Sequence, residues 1–220
     1  MRLVPEGHPF VGGTLLLAAA AWAAVGSLGG AIALAAALVF TVLALFVLWF
    51  FRDPARHPPE GADVVVAPGE GRVVDIREVH EPSFLRTTAR RISIFLSVFD
   101  VHVQRSPVSG TVEHREHKPG KFAVAWLEKA SDDNEQASLG ITTPHGRVLV
   151  RQIAGLVARR IVTDPSEGDR VERGQRIGII RFGSRVDVFF PLDWEVLCRV
   201  GDRVVVGVTP LARLGPGGAS

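Results

Sequence analysis

The residues best placed to do chemistry are Gly183 and Ser184, in the run Arg181-Phe182-Gly183-Ser184-Arg185-Val186-Asp187-Val188-Phe189-Phe190-Pro191. Ile177, Ile179 and Ile180 precede the pair, and Val186, Val188 and Phe190 alternate after it. The pattern predicts two strands meeting at a Gly-Ser turn. Gly183 lacks the Cβ that would hinder a tight reversal. Two accounts fit these residues. In one, Ser184 is a small polar residue at a hairpin tip. In the other, Gly183–Ser184 is a bond that the protein breaks in itself. The Ser184 hydroxyl attacks the unshielded Gly183 carbonyl and turns the amide into an ester. β-Elimination then leaves dehydroalanine, and hydrolysis leaves a pyruvoyl group at a new N-terminus.

Three further segments carry reactive side chains. In Phe95-Leu96-Ser97-Val98-Phe99-Asp100-Val101-His102-Val103-Gln104-Arg105, an apolar stretch ends in Asp100 and His102. Two positions apart on a strand, they share a face, and a carboxylate beside an imidazole can fix its tautomer for proton transfer. Glu70 lies between glycines in Ala67-Pro68-Gly69-Glu70-Gly71, where it reads first as a loop carboxylate. His114 and His117 invite a metal reading. Without a cysteine or a second spaced pair nearby they form no recognisable ligand set, so no metal is expected. The run Ala130–Glu135 is polar and suits capping or lining a site, but nothing in it decides. There is no G-x-S-x-G elbow, and the β-rich texture offers no strand-to-helix context for one, which excludes the common serine-hydrolase arrangement.

These residues need elements to hold them. The chain has 220 residues and a net charge of +2, enough for one domain plus an apolar segment. Its single cysteine, Cys198, excludes a disulfide scaffold and fits a reducing compartment. Lys118, Lys121 and Lys129 are the only lysines, and no long basic run is interleaved with aromatics, so nucleic acid is not an expected partner. The pairs Arg90-Arg91 and Arg159-Arg160 suit either anionic lipid head groups or solvated surface.

From Phe10 to Phe51 there is no charged residue. A crossing takes about 20 apolar residues, so this stretch predicts a transmembrane helical hairpin, about 10–28 and 31–51, reversing at Gly26–Gly30. Residues 1–9 form a tail. A simpler account has one true span and a surface helix, and Ala21-Trp22-Ala23 resembles a signal-peptidase site. Arg2 before the first span and Arg52 and Arg56 after the second place both ends on the cytoplasmic side. Residues 52–61, with Pro54, Pro58 and Pro59, read as a linker.

Residues 62–214 alternate short Val/Ile-rich runs with Gly, Pro and Asp: Val64–Val66, Arg72–Val79, Arg91–Val98, Gly110–His114, Arg147–Ile153, Arg159–Val162, Val171–Ile180, Arg185–Phe190 and Arg203–Val206. They predict a mostly β domain, with a helix only at Phe122–Asn134. Two patterns recur: P-x-x-G-x-V at Pro68–Val73 and Pro107–Val112, and G-D-x-V-x-x-G at Gly168–Gly174 and Gly201–Gly207. They predict a duplicated barrel-sandwich similar to lipoyl- and biotinyl-carrier domains. Residues 215–220 read as a disordered tail.

Taken in order, the apolar hairpin, Phe51-Arg52-Asp53-Pro54, Ala67-Pro68-x-x-Gly71, Phe95-Leu96-Ser97-x-x-Asp100-Val101-His102 and the Gly183-Ser184 turn resemble the phosphatidylserine decarboxylases, in their short form. The resemblance runs from the hairpin to about Leu214. It implies self-cleavage into a β chain, 1–183, and an α chain, 184–220, with Ser184 converted to the pyruvoyl cofactor. The two chains stay together as a heterodimer, with further dimerisation open. Phosphatidylserine in the bilayer forms a Schiff base with that group, loses CO2 and leaves as phosphatidylethanolamine. His102 is then the candidate for proton transfer, and the enzyme sits at the cell membrane with its catalytic domain on the cytoplasmic side. The chain departs from the longer members of the family at two places. Glu70 stands where they have an aspartate, and Arg105 stands where their self-cleavage histidine falls. An arginine stays protonated and cannot act as that base.

Two other readings stand beside this one. A serine-headed lipid such as archaetidylserine presents the same reacting group. A non-catalytic, membrane-anchored carrier-like adaptor would share the repeats, but a carrier presents a lysine at its hairpin tip, and this tip is Phe182-Gly183-Ser184-Arg185.

Overall fold

The computed structural model describes residues 2–61, 63–120, 134–155, 161–180 and 184–215. The chain forms two compact units, 1–55 and 56–220. In the first, β1 (Arg2–Leu3) leads through a short 3-10 turn, Pro5–Gly7, into α1 (His8–Leu28) and α2 (Ala31–Phe50), and β2 (Arg52–Asp53) closes it. β1 and β2 pair antiparallel, Arg2 opposite Asp53. The reversal between the helices uses Gly29 and Gly30 at φ 64° and 89°, a region that glycine enters without a Cβ penalty. Ala18, Ala37 and Ala44 are buried between the helices. Their small side chains let the backbones approach, and Trp22 Nε1 donates to Thr41 Oγ1 across the pair at 3.0 Å. Leu16, Leu28, Ile32 and Val42 point outward. Helices apolar all round suit lipid rather than water. At 1.5 Å per residue each is about 30 Å long, so both are long and apolar enough to cross a membrane.

The second unit is mostly β. Its strands are β3 (Val64–Val66), β4 (Gly71–Glu81), β5 (Thr87–Leu96), β6 (Val103–Arg105), β7 (Gly110–Lys118), β8 (Gln136–Thr143), β9 (Gly146–Ala154), β10 (Ile161–Thr163), β11 (Arg170–Val171), β12 (Arg176–Ile180), β13 (Ser184–Phe190), β14 (Glu195–Val196), β15 (Arg203–Val204) and β16 (Pro210–Arg213). One eight-stranded sheet runs β11-β7-β8-β9-β13-β5-β4-β15, and two three-stranded sheets run β10-β12-β6 and β14-β16-β3. The orders repeat about the β9–β13 pair. β8, β7 and β11 stand to β9 as β5, β4 and β15 stand to β13, and the small sheets match strand for strand.

The repeated sequence patterns sit at equivalent places in this arrangement. Val204 of the second G-D-x-V pairs with Gly71 of the first P-x-x-G-x-V, and Val171 pairs with Gly110. Gly201 N–H donates to Val73 O and Gly168 N–H to Val112 O, each at 2.8 Å. The glycines are required at both places. A Cβ on Gly71 would strike the Phe95 carbonyl oxygen, and one on Gly110 the Thr142 carbonyl oxygen. Residues 103–180 therefore form one half, inserted into the other, which is assembled from 64–96 and 184–213. The core lies inside the curled sheet, where Ile92, Ile94, Leu96, Val148, Val150, Val186, Val188 and Phe190 meet.

The structure corrects the expected hairpin at Gly183-Ser184. β12 and β13 are not partners. β12 pairs with β10 and β6, whereas β13 lies between β5 and β9. The predicted strand Val171–Ile180 is two strands, parted by a turn in which Gly174 takes φ 80°. β8 was not expected at all. Of the expected helix Phe122–Asn134, all but Asn134 lies outside the described residues, as do Gly183 and Arg159-Arg160.

Candidate active site

Ser184 opens the strand at the middle of the large sheet. It pairs with Leu96 on one side and Ala154 on the other. Side chains alternate along a strand. Ser184 therefore shares the core face with Val186, Val188 and Phe190, while Arg185, Asp187 and Phe189 face the opposite way. Ser184 is fully buried, and its hydroxyl has no hydrogen-bond partner among the described residues. Behind it, Arg185 and Asp187 form a buried two-point ion pair, with both bonds at 2.9 Å. The strand is pinned by polar as well as apolar contacts.

The insertion explains why the Asp100–His102 segment comes to this place. The inserted half follows Leu96 through 97–102 and ends, among the described residues, at Ile180, four positions before Ser184. Leu96 and Ser184 are themselves paired. Ile180 N–H donates to the His102 carbonyl at 3.3 Å. His102 is fully buried. It is not oriented by the Asp100 carboxylate, as a strand would have it, because residues 100–102 are not in a strand. The Asp100 backbone carbonyl lies 3.0 Å from Nδ1. A carbonyl only accepts, so Nδ1 carries the proton and Nε2 is the basic nitrogen of the neutral ring. The Asp100 carboxylate instead accepts from Ser97 N–H at 2.8 Å and from Arg203 at 2.6 Å.

Four further polar residues, of which Gln104, Gln152 and Asn134 are buried, support this region. Gln104 Nε2 donates to the His102 carbonyl at 2.7 Å, Gln152 Nε2 to Gln104 at 3.0 Å and Thr163 to Gln152 at 3.0 Å. Asn134 donates to the carbonyl of Ala154, the residue opposite Ser184, at 2.7 Å. Gln104, Gln152 and Thr163 drew no attention in the sequence, whereas Asn134 lies in the polar run 130–135.

The turn carrying Glu70 packs beside the same rung. A Cβ on Gly69 would touch Leu96 and Val186, and Arg105 N–H donates to the Pro68 carbonyl at 3.1 Å. The Glu70 carboxylate itself is taken by Arg56. Arg105 turns its guanidinium to the Gly174 carbonyl, 2.9 Å away. His114 and His117 do not converge. His114 stacks on Phe84, and His117 contacts Glu135 at 3.0 Å. No group of three metal-ligating side chains occurs among the described residues. Arg90 and Arg91 are both ion-paired, to Glu78 and Asp75.

What the fold and the site define is a mostly β protein, headed by two apolar helices, with a buried serine set at the seam of a duplicated domain. The sequence profile of the phosphatidylserine decarboxylase family matches residues 43–212. The chain is 54% identical over 210 residues to the phosphatidylserine decarboxylase proenzyme of Symbiobacterium thermophilum, covering 95% of this chain and 94% of the relative. It is 45% identical to the protein of that name from Magnetococcus marinus, with the same coverage, and 51% identical over 172 residues to that of Salinibacter ruber, covering 77% and 76%. The chain belongs to the phosphatidylserine decarboxylase family.

Proposed function

We propose that the chain is the precursor of a pyruvoyl-dependent phosphatidylserine decarboxylase. It cuts itself between Gly183 and Ser184, then converts phosphatidylserine to phosphatidylethanolamine and CO2. The observation that carries this reading is the unpartnered Ser184 hydroxyl. A buried hydroxyl left unpaired costs about 1–3 kcal/mol, and such groups mark functional positions. Self-cleavage consumes this hydroxyl. It shifts the acyl group of Gly183 from nitrogen to oxygen, elimination releases residues 1–183 as a carboxylate, and hydrolysis releases ammonia and leaves pyruvoyl at the head of 184–220.

That group, once formed, supplies an electron-withdrawing carbonyl that takes up the electron pair left by CO2. The chain's own residues do the rest. β13 holds the new N-terminus inside the sheet and away from bulk water. His102, its Nδ1–H fixed by the Asp100 carbonyl, takes up a proton at Nε2 and hands it to the carbon that has lost CO2. Glu70, held by Arg56, assists the cut in place of the aspartate of the longer members of the family. The helices anchor the enzyme in the membrane, with Arg2, Arg52 and Arg56 keeping the β domain on the cytoplasmic side. Each half of that domain is a carrier-like barrel-sandwich, a reading supported by the repeats and the matched strand orders.

Intact-mass spectrometry of the purified chain tests this. Two fragments are expected, the smaller starting at position 184 with a pyruvoyl mass and no free amine. Ser184→Ala should give one uncut chain without decarboxylase activity. An active, uncut Ser184→Ala protein would sink the proposal.

A further inference from the structure

The edge of the large sheet at β15 carries exposed side chains that the proposed reaction does not use. The 97–100 turn presents Phe99, 66% exposed, and the 199–202 turn presents Val200, 60% exposed. Val74, at a bulge in β4, is also exposed. Three arginines, Arg72, Arg199 and Arg203, are exposed in the same place. Three contacts bring these pieces to one edge. Arg203 reaches back to Asp100 beside Phe99 at 2.6 Å, Arg72 donates to the Gly201 carbonyl at 2.8 Å, and Gly201 N–H donates to Val73 O. Asp202 is the exposed countercharge, and its carboxylate already accepts from Arg199 N–H at 2.8 Å.

We propose that this edge docks on the surface of an anionic bilayer, with Phe99, Val200 and Val74 entering the interface and Arg72, Arg199 and Arg203 meeting lipid phosphates. Apolar side chains raised on turns and ringed by arginines have the composition of an interfacial lipid contact rather than of ordinary surface. Guanidinium groups complement phosphate in both charge and geometry. Two membrane-length helices precede the domain in the same chain, so a bilayer is always within reach. The docked turn is also the one that leads into Asp100 and His102, so a lipid head group arriving there reaches the buried site without leaving the interface. This inference rests on the decarboxylase reading for its purpose but not for its test.

The test uses the full chain in vesicles of phosphatidylcholine and phosphatidylglycerol. Phe99→Cys and, about 20 Å along β4, His80→Cys are labelled with a bimane fluorophore. Cys198 stays unlabelled at neutral pH, because burial, helped by the Asp202 charge, raises its thiol to about 11. Lipids carrying a nitroxide near the head group should quench the probe at 99 at least twofold and leave that at 80 unchanged. No quenching at 99, or a spectral shift there without quenching, as a protein partner would produce, overturns the proposal. Separately, the doubly substituted Phe99→Asp, Val200→Asp protein should lose at least tenfold in turnover of vesicle phosphatidylserine. It should keep its rate on a monomeric short-chain phosphatidylserine within twofold. Equal loss on both substrates, or no loss on vesicles, overturns docking. Wild-type protein inert on both substrates would instead refute the decarboxylase reading, and the quenching result would still decide the docking.

Discussion

Ser184 and His102 are set by different means, and each failure has its own signature. Ser184 is placed by two strand partners, so its substitution changes chemistry and leaves the sheet intact. His102 is placed by one backbone carbonyl and a chain of buried amides. With general acid–base catalysis worth about 100-fold or more, His102→Ala should lower turnover by that factor per processed molecule. The processed fraction is read by mass spectrometry and the rate by CO2 release. A normal rate in the processed variant would remove His102 from the mechanism. The sequence brought both residues into view through residue type and spacing. It could not show that Asp100 uses its carbonyl rather than its carboxylate, because D-x-H spacing implies a shared face only on a strand, and this chain has left the strand at Leu96.

At the scale of elements, strands that alternate or carry Val/Ile runs were legible, such as Val64–Val66 and Arg185–Phe190. Gln136–Thr143 was not. Only two of its eight residues, Leu139 and Ile141, are large and apolar, and Gly140 lies against the Phe84 ring, where a side chain would not fit. Partners were less legible than strands. Ile177–Ile180 and Val186–Phe190 look like a hairpin because nothing in an apolar run names its neighbour. Close backbone approach at the repeated glycines yields a direct expectation. Gly71→Ala forces β4 away from Phe95, a strain of roughly 1–3 kcal/mol. It should lower the midpoint of thermal unfolding in detergent by at least about 2 °C.

The β4–β5 loop yields a second expectation at this scale. Burial raises the Glu81 carboxyl, but hydrogen bonds from the Ser83 hydroxyl and the Phe84, Leu85 and Ser83 N–H groups outweigh it and hold the pKa below the ordinary value of 4.5. A lowered folded-state pKa stabilises the protein above the unfolded value, and the effect is lost as pH falls through the folded one. The Phe84–Leu85 cap should therefore loosen as pH falls below the ordinary carboxyl value of 4.5. Glu81→Gln should be less stable at pH 7 and show a flatter acid limb, measured as thermal midpoint against pH.

For the whole molecule, the notable fact is how the segment after residue 183 is held. β13 is flanked by β5 and β9, β15 pairs with β4, and β16 pairs with β3. Every one of these partners precedes the proposed cut. The strands on either side of it, β12 and β13, lie in different sheets, yet these pairings would hold the shorter piece after cleavage. The processed fragments should co-elute on size exclusion in mild detergent and separate only in denaturant. Separation under native conditions would contradict this arrangement. The duplication was legible because short repeats such as G-D-x-V mark turns. That one half interrupts the other was not, since interruption is a property of pairing across more than 80 residues.

The insertion also sets an order of events during synthesis. The rung at Ser184 joins strands that leave the ribosome far apart in time: Leu96 first, Ala154 later and Ser184 last. Pairing of such distant segments is slow, because loop closure must precede the contacts that reward it. No partly made chain can assemble the environment of that serine. With maturation at Ser184 as proposed, cleavage would act as a completion signal: only a chain that has closed its whole sheet would acquire activity, and an arrested or misregistered chain would stay an inert precursor.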